Sequence, residues 1–180
     1  MYEKTAALIA SLSLLSIPAI AQDEIAEPKA QGHRIGIGFS STTDVTIDDI
    51  DLGKGVKLEY GYEFNSIVGI NLSYAGFSED ALGGLIKVEG STLKLDTDLG
   101  YTFHFDDFAI KPYGAIGVVR LDEEFTGFGE KESYDDTTIF VGIGARATLF
   151  EHYYTDIRFE VFASEFSDYD QFSMTFGYRF

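Results

Sequence analysis

The chain of 180 residues has no cysteine, no tryptophan, only three prolines, and 13 basic side chains against 30 acidic ones. Without cysteine there is no disulfide framework, thiolate zinc centre, iron–sulfur cluster or cysteine nucleophile. The shortage of bases leaves a formal charge of −17. A chain this acidic is no nucleic-acid binder, because that affinity rests on neutralising phosphates. Beyond residue 21 no stretch approaches the ~20 consecutive apolar residues of a transmembrane helix. What is abundant is Phe (16), Tyr (11) and Gly (19). Disordered chains are poor in aromatics, so disorder is excluded, and the length fits one domain.

Residues 1–21 read as a secretory signal peptide. Lys4 precedes an apolar run from Ala6 to Ile17, Pro18 breaks any helix, and Ala19-Ile20-Ala21 offers small residues to a signal peptidase. Cleavage is expected before Gln22. Residues 22–31 are polar and read as a flexible lead-in.

From Gly32 onward the hydrophobic period is two. Val56, Leu58, Tyr60, Tyr62 and Phe64 alternate with Lys57, Glu59, Gly61 and Glu63. Leu93, Leu95, Leu99, Tyr101, Phe103 and Phe105 oppose Lys94, Asp96, Asp98, Gly100 and His104. Such alternation places one side of a strand in apolar and the other in polar surroundings. Eight segments follow it, near 32–42, 53–64, 67–77, 90–105, 109–121, 137–150, 153–163 and 171–180. Their connections alternate between short and long, as in an up-and-down meander, and an even strand number lets the sheet close without an edge. The fold class expected for residues 32–180 is all-β, an eight-stranded antiparallel up-and-down barrel. In the fifth segment alternation is blurred around Pro112, and its faces cannot be assigned from the pattern.

Two features say which face is outside. The polar face carries Arg34, Lys57, Lys94, Arg146, Arg158 and Arg179 against Glu59, Glu63, Asp96, Asp98, Asp156 and Glu160. A solvent-facing surface would share the acidic excess of the chain. This one is balanced, as charges confined in an interior must be. Glycines recur on the same face, for example Gly36, Gly61, Gly144 and Gly177, and an eight-stranded interior is narrow enough to need them. The apolar face therefore points outward, toward lipid. Aromatics gather at strand ends beside the short turns, as an interfacial girdle does.

Met174, Phe176, Tyr178 and Phe180 at every second position of the last strand, and Lys111-Pro112-Tyr113 followed by small residues, resemble small eight-stranded outer-membrane proteins of Gram-negative bacteria, the OmpA/OmpX-like superfamily. The resemblance covers residues 32–180. It implies an integral outer-membrane protein, monomeric, surrounded by outer-membrane lipid and lipopolysaccharide. It further implies that the four alternating C-terminal side chains are the signal read by the barrel assembly machinery, with periplasmic chaperones acting during biogenesis. No peptidoglycan-binding domain is expected after Phe180. Activity is diverse in such folds and does not follow from the fold.

The ionic interior reads as a structural polar core in preference to a gated ion path, since barrels of this size are filled by side chains. The four long connections hold seventeen acids against Lys87 and Lys131. They read as a solvated, self-repelling surface, with Asp48, Asp49 and Asp51 the densest candidate for a weak divalent cation. His33, His104 and His152 are scattered and fit no nucleophile or metal spacing. No cofactor is expected. The expected function is a non-catalytic surface protein that supports envelope integrity or binds partners through acidic loops. The alternative is a narrow porin-like conduit for small ions or solutes, and a lipid-modifying enzyme is a minor third.

Overall fold

Among the described residues nine antiparallel strands carry the alternation into three dimensions. They are β1 (Gly32–Asp44), β2 (Ile50–Glu63), β3 (Val68–Ala81), β4 (Ile86–Gly100), β5 (Phe103–His104), β6 (Phe108–Gly127), β7 (Glu130–Leu149), β8 (Tyr153–Ala163) and β9 (Asp168–Arg179). This computed structural model describes residues 31–46, 50–81, 86–127, 130–164 and 167–180. The expected signal peptide and residues 22–30 of the lead-in lie outside the described residues.

Apart from β4 and β5, which lie end to end, each strand pairs with its neighbours in sequence; β1 pairs with β9, and β4 pairs with β6. The sheet is therefore closed. The two-residue β5 continues the line of β4 along the base of β6, through Phe103↔Ile110 and His104↔Ala109. The barrel thus has eight staves.

Apolar side chains are on the outside. Ile139 is 69% exposed and Ile143 is 68% exposed, while Arg34, Lys94 and Arg158 are at most 2% exposed. Such an inversion suits a barrel whose solvent is hydrocarbon. The outward band ends at Val118 on β6 and Ile139 on β7, where Arg120, Asp122 and Asp135 take over.

Short turns gather at one end of the barrel. Asn65 Oδ1 accepts from the backbone N–H of Ile67 and Val68, at 2.8 Å each, and closes the β2–β3 turn. The β7–β8 turn places Phe150 (φ 51°) and Glu151 (φ 64°) in the left-handed region, which lets two strands join tightly.

Strands overrun their expected limits at the opposite end. β6 and β7 extend to Gly127 and from Glu130, where a loop over 122–136 was expected, and β3 and β4 continue to Ala81 and from Ile86. Beyond the lipid both faces are wet, so polarity no longer alternates and the strand leaves no trace in the pattern. The ladder persists regardless, pairing Asp122 with Asp135 and Glu124 with Ser133. The expected segment 90–105 also divides, because β4 stops at Gly100.

β6 resolves the fifth segment. Lys111, Tyr113, Ala115 and Val119 are buried in the lumen, while Pro112, Gly114, Ile116 and Val118 are exposed. A bulge shifts the β1–β2 register between Thr42 and Thr43. Gly53 adopts φ 108° there, and a Cβ would strike the Ser78 carbonyl. The extra residue turns Leu52 inward, where it is buried.

Candidate functional site

The lumen is filled from the short-turn end upward. Glu63 on β2 is bridged by Arg34, Arg146 and Lys111, the last at 2.8 Å. Asp98 on β4 receives Lys111 at 2.5 Å and Arg146 at 3.3 Å. Asn71 donates to Asp96 at 2.6 Å and Asp98 at 3.0 Å and accepts from Arg34. Tyr113 donates to Asp156 at 2.7 Å and accepts from Arg158 Nε at 3.0 Å. Arg146 reaches Asp156 at 2.9 Å, and Arg158 reaches Asp96 at 2.9 Å and Glu160 at 3.2 Å. Lys57 reaches Glu59 at 2.9 Å.

Six bases (Arg34, Lys57, Lys94, Lys111, Arg146, Arg158) thus face six acids (Glu59, Glu63, Asp96, Asp98, Asp156, Glu160), all buried. The sum is neutral, which a desolvated interior requires. Arg179, expected in this set, lies half-buried at the rim with Nη2 3.4 Å from the Gln31 carbonyl. Lys111 occupies the sixth basic place. Pattern reasoning passed over Lys111 and Tyr113 because Pro112 obscured the phase of their strand.

Inward glycines make room for this packing. A Cβ at Gly144 would meet the Tyr113 ring at 2.5 Å, one at Gly61 would meet the Arg34 guanidinium at 2.5 Å, and Gly36 and Gly177 lie against Tyr154.

Above the ionic core the lumen turns apolar. Leu52, Phe77, Val119, Leu121, Phe140, Phe162 and Tyr169 form one buried cluster, with Val88 against it. Lys94 stands at the junction, its Nζ 5.0 Å from the Phe140 ring centroid and 4.9 Å from that of Phe162. The parity of Arg146 and Glu160 already places Phe140 and Phe162 inside.

At the long-strand end, β3, β4, β6 and β7 rise as a sheet above the apolar band. Its register puts Glu79, Val88, Phe125 and Glu132 in one inward row, and Phe77, Gly90, Glu123 and Tyr134 in the next. Phe125 is 41% exposed and Tyr134 is 51% exposed. Tyr169 donates to Glu123 at 3.1 Å, and Tyr134 donates to Glu132 at 2.7 Å. Burial pushes the Glu123 carboxyl above the usual carboxylate range. The Tyr169 hydrogen bond opposes the rise and nearby Asp44 adds to it.

Charged pairs occupy the outward face of this sheet. Lys87 meets Glu89 at 2.7 Å, Lys131 meets Glu124 at 2.7 Å, and Arg120 meets Asp122 at 3.3 Å. Asp48 and Asp49 lie outside the described residues, and nothing of the Asp51 side chain is described. Among the described residues no group of three or more His, Asp or Glu is placed to hold a metal.

At the short-turn end a cavity of about 550 Å³ opens, with Arg34, Glu63, Lys111 and Arg146 among its lining residues. The histidines belong to this end. His33 Nδ1 lies 2.7 Å from the Tyr60 hydroxyl and its ring stacks on Phe180, while His152 stacks on Tyr178 and His104 is exposed. Phe180 and His33 exchange both backbone hydrogen bonds at 2.9 and 3.0 Å. Phe176 and Tyr178 are exposed on the outer surface and Met174 half so, while β9 closes the barrel against β1.

A closed barrel with an apolar exterior and a filled ionic lumen defines an integral membrane protein of the small β-barrel class. The chain belongs to the outer membrane protein β-barrel domain family, whose profile matches residues 7–180. It is 26% identical over 181 residues to the attachment invasion locus protein of Yersinia pseudotuberculosis, covering 96% of this chain and 93% of that protein. The crystal structure of Ail, the attachment invasion locus protein of Yersinia pestis, superposes with a TM-score of 0.64 at 22% identity, over 83% of this chain and 99% of Ail. Ail in complex with the heparin analogue sucrose octasulfate gives 0.62 at 22% identity, with the same coverage of 83% and 99%.

Proposed function

We propose that the protein is a non-catalytic surface protein of the Gram-negative outer membrane. In this reading a signal peptide is cleaved near Ala21, the short turns face the periplasm, and the acidic end is displayed to the exterior. The observation that carries it is the division of the molecule. The lumen is neutral and packed, through an ionic core and then an apolar cluster. The charge of the chain is displayed at the long-strand end. Such a body presents a surface and offers no passage, since open channels need wider barrels. The relative named for attachment and invasion supports a role in contact with other cells or in envelope integrity. The barrel is a monomer set in lipid and lipopolysaccharide, inserted by the barrel assembly machinery with Met174, Phe176, Tyr178 and Phe180 as its signal.

The test is attachment. Cells displaying the protein in the outer membrane are compared with cells lacking it on cultured host-cell monolayers, and the purified barrel is examined in planar bilayers. Raised attachment with no single-channel steps is the expected result. Steady conductance without attachment would sink the reading in favour of a conduit.

A further inference from the structure

The sheet that rises above the lipid has two unlike faces. Every base in the described part of this sheet above the lipid, Lys87, Arg120 and Lys131, points outward and stands beside a carboxylate. The inward face carries Glu79, Glu123, Glu132 and Asp136, and no Lys or Arg among the described residues. Between those acids Phe125 and Tyr134 are 41% and 51% exposed.

We propose that this inward face is a docking surface for a basic protein segment bearing an aromatic or aliphatic anchor. The inference rests on the reading that the long-strand end is displayed outside the cell. Charge complementarity selects the occupant. Residues 47–49, 82–85, 128–129 and 165–166, the connections of this end, contain no Lys or Arg, and their only charged residues are Asp48, Asp49 and Glu165. They cannot neutralise the face, and a second copy of the chain would bring the same sign of charge. Opposite charge steers the encounter and fixes orientation, while a buried aromatic anchor supplies most of the affinity. A polyanion such as the sulfated ligand bound to Ail would be repelled from this face.

The experiment uses the full barrel in zwitterionic nanodiscs and a fluorescent peptide of alternating lysine and tyrosine, read by anisotropy against empty nanodiscs. Two triple variants carry the same change of charge. Glu79→Gln with Glu132→Gln and Asp136→Asn alters the inward face. Glu89→Gln with Glu124→Gln and Asp135→Asn alters the outward one. All six side chains lie above the lipid, and heat-modifiable gel mobility checks that both variants fold. Saturable binding is expected, weakened about tenfold by the inward triple and less than about twofold by the outward one. Phe125→Ser should weaken binding, and replacing the peptide's tyrosines with serine should do the same. Equal loss in both triples, or no binding above empty nanodiscs, would overturn the proposal. So would self-association of the barrel abolished by the inward triple, which would make a second copy the occupant. Peptide binding with no cell attachment would instead remove only the attachment reading.

Discussion

Lys94 on β4 donates to Glu160 on β8 at 2.6 Å, straight across the lumen where the ionic core meets the apolar cluster. Both side chains are at most 2% exposed. Removing one partner should cost about 3–5 kcal/mol, because the other is left charged and desolvated. Glu160→Leu is expected to lose that much in urea unfolding from lipid vesicles. The double variant Lys94→Met with Glu160→Leu should regain most of it, since Arg158 keeps Asp96 at 2.9 Å. A double variant no more stable than the single would contradict this account.

The outward face of β4 allows a comparison within one strand. Leu95 is 48% exposed within the apolar band, whereas Ser91 pairs with Asp122 above it. Leu95→Arg should destabilise by about 2–4 kcal/mol and Ser91→Arg by about 0–1 kcal/mol. Equal unfolding midpoints would place the lipid boundary elsewhere.

Phe180 closes the barrel by two backbone hydrogen bonds to His33 and by ring stacking. Deleting it should lower the yield of heat-modifiable barrel, both in refolding and in cells, while Phe180→Tyr should assemble. Normal yield of the truncated chain would show that the last residue is dispensable.

Glu123 gives a pH dependence with a definite sign. Its carboxyl is raised in the folded barrel, mainly by burial. The folded state therefore holds this proton to higher pH than the unfolded chain does. The stability this group contributes is fully present below the ordinary carboxylate value of about 4 and is lost as pH rises through the raised folded value. Glu123→Gln keeps an acceptor for the Tyr169 hydroxyl and removes the charge. The variant should melt at a higher temperature than the parent at neutral pH and show no gain near pH 4. A lower melting temperature at neutral pH would mean that the charged hydrogen bond from Tyr169 outweighs burial.

The barrel was legible wherever lipid imposed a period of two. Leu93, Leu95 and Leu99 against Lys94, Asp96 and Asp98 gave both the strand and its orientation, because one face meets hydrocarbon and the other a lumen. Legibility failed where that constraint ends. Glu130 to Thr137 form strand with polar residues on both faces, and only backbone pairing reveals it. Lys111 and Tyr113 were hidden by Pro112, which sits outward opposite Ala145 and leaves the lumen phase intact. The apolar cluster was overlooked because Phe77, Val119 and Phe140 are apolar residues on the face otherwise marked by charge. Leu52 could not be placed by counting, since the bulge at Gly53 changes its phase.

The neutral middle and the acidic end also decide how the molecule can turn over in its membrane. A flip would draw the long-strand end through hydrocarbon, and residues 43–52, 78–89, 122–136 and 164–170 hold seventeen acids by sequence. Each charge at the bilayer centre costs about 2.5–3.5 kcal/mol on the most lenient scale. Flip-flop of the finished barrel is therefore forbidden on any biological timescale, and whichever orientation is set at insertion becomes permanent.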